Sequence, residues 1–101
     1  MAKNVRVLIV EDHDMARMGL SVVLGNNDKI EVVGMCADGQ DGVDKALDLI
    51  PDVVIMDIGL PTIDGIEATK RIKSQNTKIK VLMYTSREDE DDIFDSFKAG
   101  A

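Results

Sequence analysis

The sequence predicts an α/β fold built on a parallel sheet, and three observations point there. Short apolar runs alternate with segments of helical period, the pattern of repeated βα units. The runs Val5-Arg6-Val7-Leu8-Ile9-Val10 and Val53-Val54-Ile55-Met56 are almost wholly apolar, as strands covered on both faces are. Both end in acids: Glu11 and Asp12 follow the first, Asp57 the second. In open sheets of this class ligands bind at the C-terminal strand ends. One acidic site shared by two strands is therefore expected.

Each element has its own signal. The first strand covers about 5–10. A helix follows from about Asp14 to Leu24, with Ala16, Leu20, Val23 and Leu24 expected on its inner face, and Gly25-Asn26-Asn27 is expected to stop it in a left-handed turn. The second strand, Ile30 to Cys36, alternates less cleanly and is expected at an edge. The second helix runs from about Gly39 to Ile50, with Val43, Ala46, Leu47 and Ile50 at helical spacing, and Pro51 ends it. The third strand is 53–57. Asp64 reads as the N-cap of a third helix whose inner face includes Ile66, Thr69 and Ile72. The fourth strand is Lys80-Val81-Leu82-Met83-Tyr84, and a fourth helix is expected over about 88–98, with Ile93, Phe94 and Phe97 apolar.

Composition narrows the function classes. A chain of 101 residues, 45% apolar, suits one domain, and no window holds the ~20 continuous apolar residues of a membrane span. Met1-Ala2-Lys3-Asn4 leads directly into the first strand and does not read as a signal peptide. Cys36 is the lone cysteine, which excludes an internal disulfide, suits a reducing compartment and reads as packing. The net charge is −7, from 19 acids against 12 bases, which argues against contact with nucleic acid. The run Glu88-Asp89-Glu90-Asp91-Asp92 reads as a solvated helix start.

Three carboxylates at one strand edge can hold a hard divalent cation, and one can act as a nucleophile toward phosphorus. Two carboxylates ~4 Å apart repel by about 4 kcal/mol at an effective dielectric of 20. The cluster is therefore expected to be strained without metal and its pKa values raised. His13 reads as a residue flanking the helix start, and Tyr84 as sheet packing. A phosphatase of the haloacid dehalogenase type would need a second Asp two residues after the nucleophile, and Gly59 stands there.

Taken together, Val7-Leu8-Ile9-Val10-Glu11-Asp12-His13, Val54-Ile55-Met56-Asp57-Ile58-Gly59-Leu60-Pro61, Asp64-Gly65 and Tyr84-Thr85-Ser86 resemble the receiver domain of a two-component response regulator. The resemblance covers the whole chain and implies a flavodoxin-like, doubly wound parallel sheet. Its strand order would be 2-1-3-4-5, of which this chain carries 2-1-3-4. The fifth βα unit, with its Lys, has no counterpart before Ala101, so residues 1–101 are expected to be one receiver domain, truncated at its C-terminus. Asp57 would be the phosphoacceptor, and Mg²⁺ the cofactor. Asp12 and Asp57 would bind it directly, Glu11 through water, and Gly59 through its backbone carbonyl. Thr85 would be the hydroxyl that senses the phosphoryl group and switches the following loop and helix. The implied partners are a histidine kinase or phosphotransfer protein, in the cytoplasm, with a helix-turn-helix output domain by analogy. Self-association through an open fourth-strand edge is expected. The alternative is a pseudo-receiver, a binding module not phosphorylated in this form.

Overall fold

The computed structural model of the chain describes residues 4–84. Its elements are β1 (Val5–Val10), α1 (Asp14–Gly25), β2 (Ile30–Cys36), α2 (Gly39–Leu49), β3 (Val53–Asp57), α3 (Gly65–Gln75) and β4 (Lys80–Tyr84). The strands form one parallel sheet in the order β2-β1-β3-β4, as expected, with β2 at one edge. The fourth helix and Thr85 lie outside the described residues. Among the described residues no helix is long and apolar enough to cross a membrane.

The main core lies between the sheet and the α2–α3 layer. Leu8 and Val10 of β1, Val54 and Met56 of β3 and Val81 of β4 meet Val43, Ala46, Ala68 and Ile72. Gly42 lets α2 approach closely, since a Cβ there would meet Val10 Cγ1 at 2.9 Å. β2 alternates poorly for a local reason. Its register with β1 shifts between Val7 and Leu8, which pair with Val32 and Gly34, so Val33 is an extra residue. A bulge of this kind breaks the period of two.

Helix faces differ from the periodicity in two places. In α1 the half-buried stripe is Arg17, Leu20, Ser21 and Leu24, while Ala16 is exposed and Val23 is 70% exposed. Arg17 sets this rotation: its Nη1 donates to the Glu11 carbonyl at 2.9 Å and its Nη2 to Asp14 Oδ1 at 2.6 Å. In α2 the buried stripe is Gly39, Gly42, Val43 and Ala46, and Leu47 and Ile50 are exposed. The helix ends at Leu49, because a residue before proline is driven out of the right-handed helical region. Ile50 takes the left-handed region instead, at φ 48°. Arg6 Nη1 donates to the carbonyls of Leu49 at 2.9 Å and Ile50 at 3.0 Å, answering the unpaired acceptors of the helix end.

The turn after α1 is not left-handed as expected. Asn26 sits at φ −78°, its N–H donates to the Val22 carbonyl, and the Asn27 side chain accepts from the Lys29 N–H at 2.9 Å. The α3 cap follows the sequence, and α2 is capped in the same way. Asp38 Oδ1 accepts from the Asp41 N–H, and Asp64 Oδ1 from the Glu67 N–H, both at 2.8 Å.

Candidate functional site

β1 and β3 are adjacent and parallel, so the residues that follow them emerge at the same edge. Glu11 continues the ladder for one residue, its N–H donating to the Cys36 carbonyl at 3.0 Å. Asp12 and His13 then turn the chain into α1. Asp57 is the last residue of β3, and the Ile58 N–H donates to the Tyr84 carbonyl at 3.1 Å. α3 is pressed against this exit by Gly65, whose N–H donates to the Ile58 carbonyl at 2.8 Å. A Cβ at Gly65 would lie 2.1 Å from the Asp57 carbonyl oxygen.

This scaffold brings Glu11, Asp12 and Asp57 together. One ligand atom from each, with one from His13, lies within 4.8 Å of all the others. Glu11 and Asp57 are buried, at 3% and 5% exposure. Asp12 Oδ1 is buried without a hydrogen-bond partner. The His13 Nδ1 lies 3.2 Å from it, but not in hydrogen-bonding geometry. Gly59 lies beside the cluster, and its N–H donates to Asp57 Oδ1 at 3.3 Å. Three carboxylates with an unpartnered buried oxygen among them form a donor set that suits a hard cation.

Two residues enter the site unannounced by the sequence. His13 donates its N–H to Glu11 Oε2 at 2.9 Å and places its ring Nδ1 3.2 Å from the same atom. Tyr84 donates its hydroxyl to Glu11 Oε1. The available signal for Tyr84 was register: it pairs with Asp57 across the β3–β4 ladder, so it ends its strand at the level of the acids.

The electrostatics divide the cluster. Burial, joined by the charge of Glu11, pushes the Asp57 carboxyl above its usual range against the opposing Gly59 N–H. Burial also pushes Glu11 upward, but the His13 N–H, the Tyr84 hydroxyl and the His13 ring outweigh it and hold the group at about 2. The expectation of pKa values rising together thus holds for Asp57 and fails for Glu11, where donors compensate the charge. Burial and the facing Glu11 push the Tyr84 phenol up. The His13 imidazole is raised, first by its hydrogen bond to Glu11 and then by the charge of Asp12. Cys36 is buried, and burial lifts its thiol to about 11, in keeping with a packing role.

A doubly wound parallel sheet with a buried acid at the end of its central strand, faced by two more acids, defines a class of signalling domain. The chain belongs to the response regulator receiver domain family, whose model matches residues 7–101. It is similar to the transcriptional regulatory protein LiaR of Bacillus subtilis, 43% identical over 97 residues, covering 96% of this chain and 46% of that protein. Response regulator protein VraR of Staphylococcus aureus is 42% identical over 97 residues with the same coverage. The chain thus spans about half the length of the curated relatives it matches. Among solved structures, the response regulator domain of Thermotoga maritima CheB superposes with a TM-score of 0.91. It is 36% identical and covers 98% of this chain and 75% of that one. These domains work in two-component systems, and phosphoacceptor signalling is the function the family carries.

Proposed function

We propose that Asp57 accepts a phosphoryl group from a histidine kinase or phosphotransfer protein and that the acidic cluster serves this transfer with Mg²⁺. The observation that carries the reading is the convergence of Glu11, Asp12 and Asp57 oxygens around the unpartnered Asp12 Oδ1. The ionised Asp57 carboxylate attacks phosphorus, the bond from phosphorus to the donor's imidazole breaks, and that imidazole takes up a proton from solvent. The product is an acyl phosphate, which water later cleaves to inorganic phosphate and the free carboxylate, resetting the switch. Asp12, Asp57 and the Gly59 carbonyl would hold the ion, with Glu11 acting through water. Bound there, Mg²⁺ would neutralise charge on the group being transferred. A solved neighbour bears on this: the CheX-CheY-BeF3-Mg+2 complex from Borrelia burgdorferi, 26% identical to this chain with a TM-score of 0.87.

Thr85 is assigned the role of donor to a phosphoryl oxygen, carrying the signal into the segment that follows β4. Residues 1–101 act as one receiver domain, located in the cytoplasm and making no direct contact with nucleic acid. A helix-turn-helix output domain elsewhere in the protein would regulate transcription, by analogy with its relatives. Apart from its own phosphoryl transfer and hydrolysis, the domain is assigned no enzymatic activity.

The test is intact mass after incubation with Mg²⁺ and acetyl phosphate. Wild type is expected to gain one phosphoryl group and Asp57→Ala none. A wild type that gains nothing would favour the pseudo-receiver reading, and sustained turnover of a phosphomonoester would favour an enzyme.

A further inference from the structure

We propose that Tyr84 is a positioning residue of the acidic site, whose hydroxyl fixes the Glu11 carboxylate and ties the end of β4 to occupancy of that site. The inference deepens the reading of the cluster as a cation-dependent phosphoacceptor and rests on it.

Two bonds attach Tyr84 to the two acidic strand ends. Its carbonyl accepts from the N–H of Ile58, the residue after Asp57, at 3.1 Å. Its hydroxyl crosses β3 and donates to Glu11 Oε1, at the end of β1. Sequence separates the last pair by 73 positions, so only the assembled sheet makes this contact. Glu11 depends on it. The side chain is almost fully buried, and its other oxygen is already held by the His13 N–H at 2.9 Å. Without the phenol, Oε1 would lose its donor while facing the Asp12 and Asp57 carboxylates, and a buried carboxylate left without a donor is costly. A phenylalanine would fill the same space and supply no proton, so packing alone does not account for the contact.

The position of Tyr84 gives the bond a second consequence. Tyr84 is the last residue of β4, directly before Thr85. Any adjustment of Glu11 toward a cation strengthens, bends or releases the phenol bond, and that change arrives at the last residue of β4, next to Thr85. The link needs no movement of the strand ladder, because the side chain spans it.

The chain carries its own probe. Tyr84 is the only tyrosine and there is no tryptophan, so intrinsic emission reports this residue alone. A carboxylate bonded to a phenol quenches its emission by taking up the excited-state proton. Metal-free wild type is therefore expected to be dim, and Glu11→Gln severalfold brighter. Mg²⁺ titration should change wild-type emission saturably, with the midpoint that calorimetry gives for binding. Tyr84→Phe should lower the metal-free melting temperature, because Glu11 Oε1 loses its donor, and bind Mg²⁺ roughly tenfold more weakly, the usual loss when a partner of a ligand is removed. Emission unaffected by Mg²⁺ and by Glu11→Gln, together with unchanged or tighter Mg²⁺ binding by Tyr84→Phe, overturns the proposal. If wild type still binds Mg²⁺ and gains its phosphoryl group under those conditions, the functional reading survives alone. A wild type that neither binds Mg²⁺ nor gains a phosphoryl group removes both.

Discussion

At Asp57 burial and the charge of Glu11 act in the same direction, and the Gly59 N–H opposes them without prevailing. A carboxyl whose pKa is raised by folding favours the native state while protonated, and that contribution is lost as pH rises through the folded value. Ionised Asp57 is thus a cost at neutral pH. Glu11 has the opposite sign: held at about 2, it contributes stability above its ordinary 4.5 that is lost as pH falls toward 2. Asp57→Asn keeps an oxygen for the Gly59 N–H and removes the charge. We expect it to be more stable than wild type in metal-free buffer at neutral pH. The gain should shrink as pH falls and wild-type Asp57 takes up its proton. It should shrink again with Mg²⁺ at a hundredfold excess over Kd, which stabilises wild type by about 2.7 kcal/mol. Melting curves across pH and Mg²⁺ check both trends, and an Asp57→Asn chain that melts below wild type at neutral pH without metal contradicts them. Residues of this kind were legible in advance because acids closing apolar runs are conspicuous. Tyr84 was not, since an aromatic at a strand end reads as packing until register shows what it faces.

Among the elements, boundaries were easier to read than faces. The α3 cap followed from Asp64, whose short carboxylate matches the first free N–H groups. The rotation of α1 did not follow, because apolar spacing placed Val23 inward while Arg17 anchors the helix to the Glu11 carbonyl. The bulge at Val33 also blurred a pattern that only pairing resolves. Two glycines separate geometric need from tolerance. A Cβ at Gly65 would strike the Asp57 carbonyl oxygen at 2.1 Å and Ile58 Cα at 2.9 Å, both backbone atoms that cannot swing aside. Gly65→Ala is expected to destabilise the fold by about 2–3 kcal/mol and to displace α3 from the Asp57 exit. A Cβ at Gly19, inside α1, would meet nothing within 4 Å among the described residues. Gly19→Ala should stabilise by about 0.5–1 kcal/mol, since alanine restricts the unfolded chain and favours helix. Urea denaturation of both variants decides the matter. A Gly65→Ala chain with an unchanged midpoint would mean that the α3 contact is softer than its geometry states.

On the scale of the whole molecule, the alternation of strands and helices was enough to order the sheet, because crossover connections leave few ways to arrange parallel strands. Among the described residues the same arrangement leaves β4 at an edge, paired with β3 alone. Leu82 of that strand is 60% exposed, and Met15, Met18, Val22 and Val23 of α1 are exposed as well. A strand with unpaired backbone groups and an apolar side chain facing water is a template for another strand. The 101-residue chain is therefore expected to self-associate through this edge, with an apparent mass in sedimentation that rises with concentration. Leu82→Lys should shift the chain toward monomer, because a lysine would bring a charge into the new pairing and remove apolar area from it. Since Leu82 and the Asp57 side chain lie on different strands, the variant should still accept a phosphoryl group from acetyl phosphate, which separates loss of association from loss of fold. A wild type that sediments as one monomeric species at every concentration would show that backbone pairing at this edge is satisfied within the chain itself.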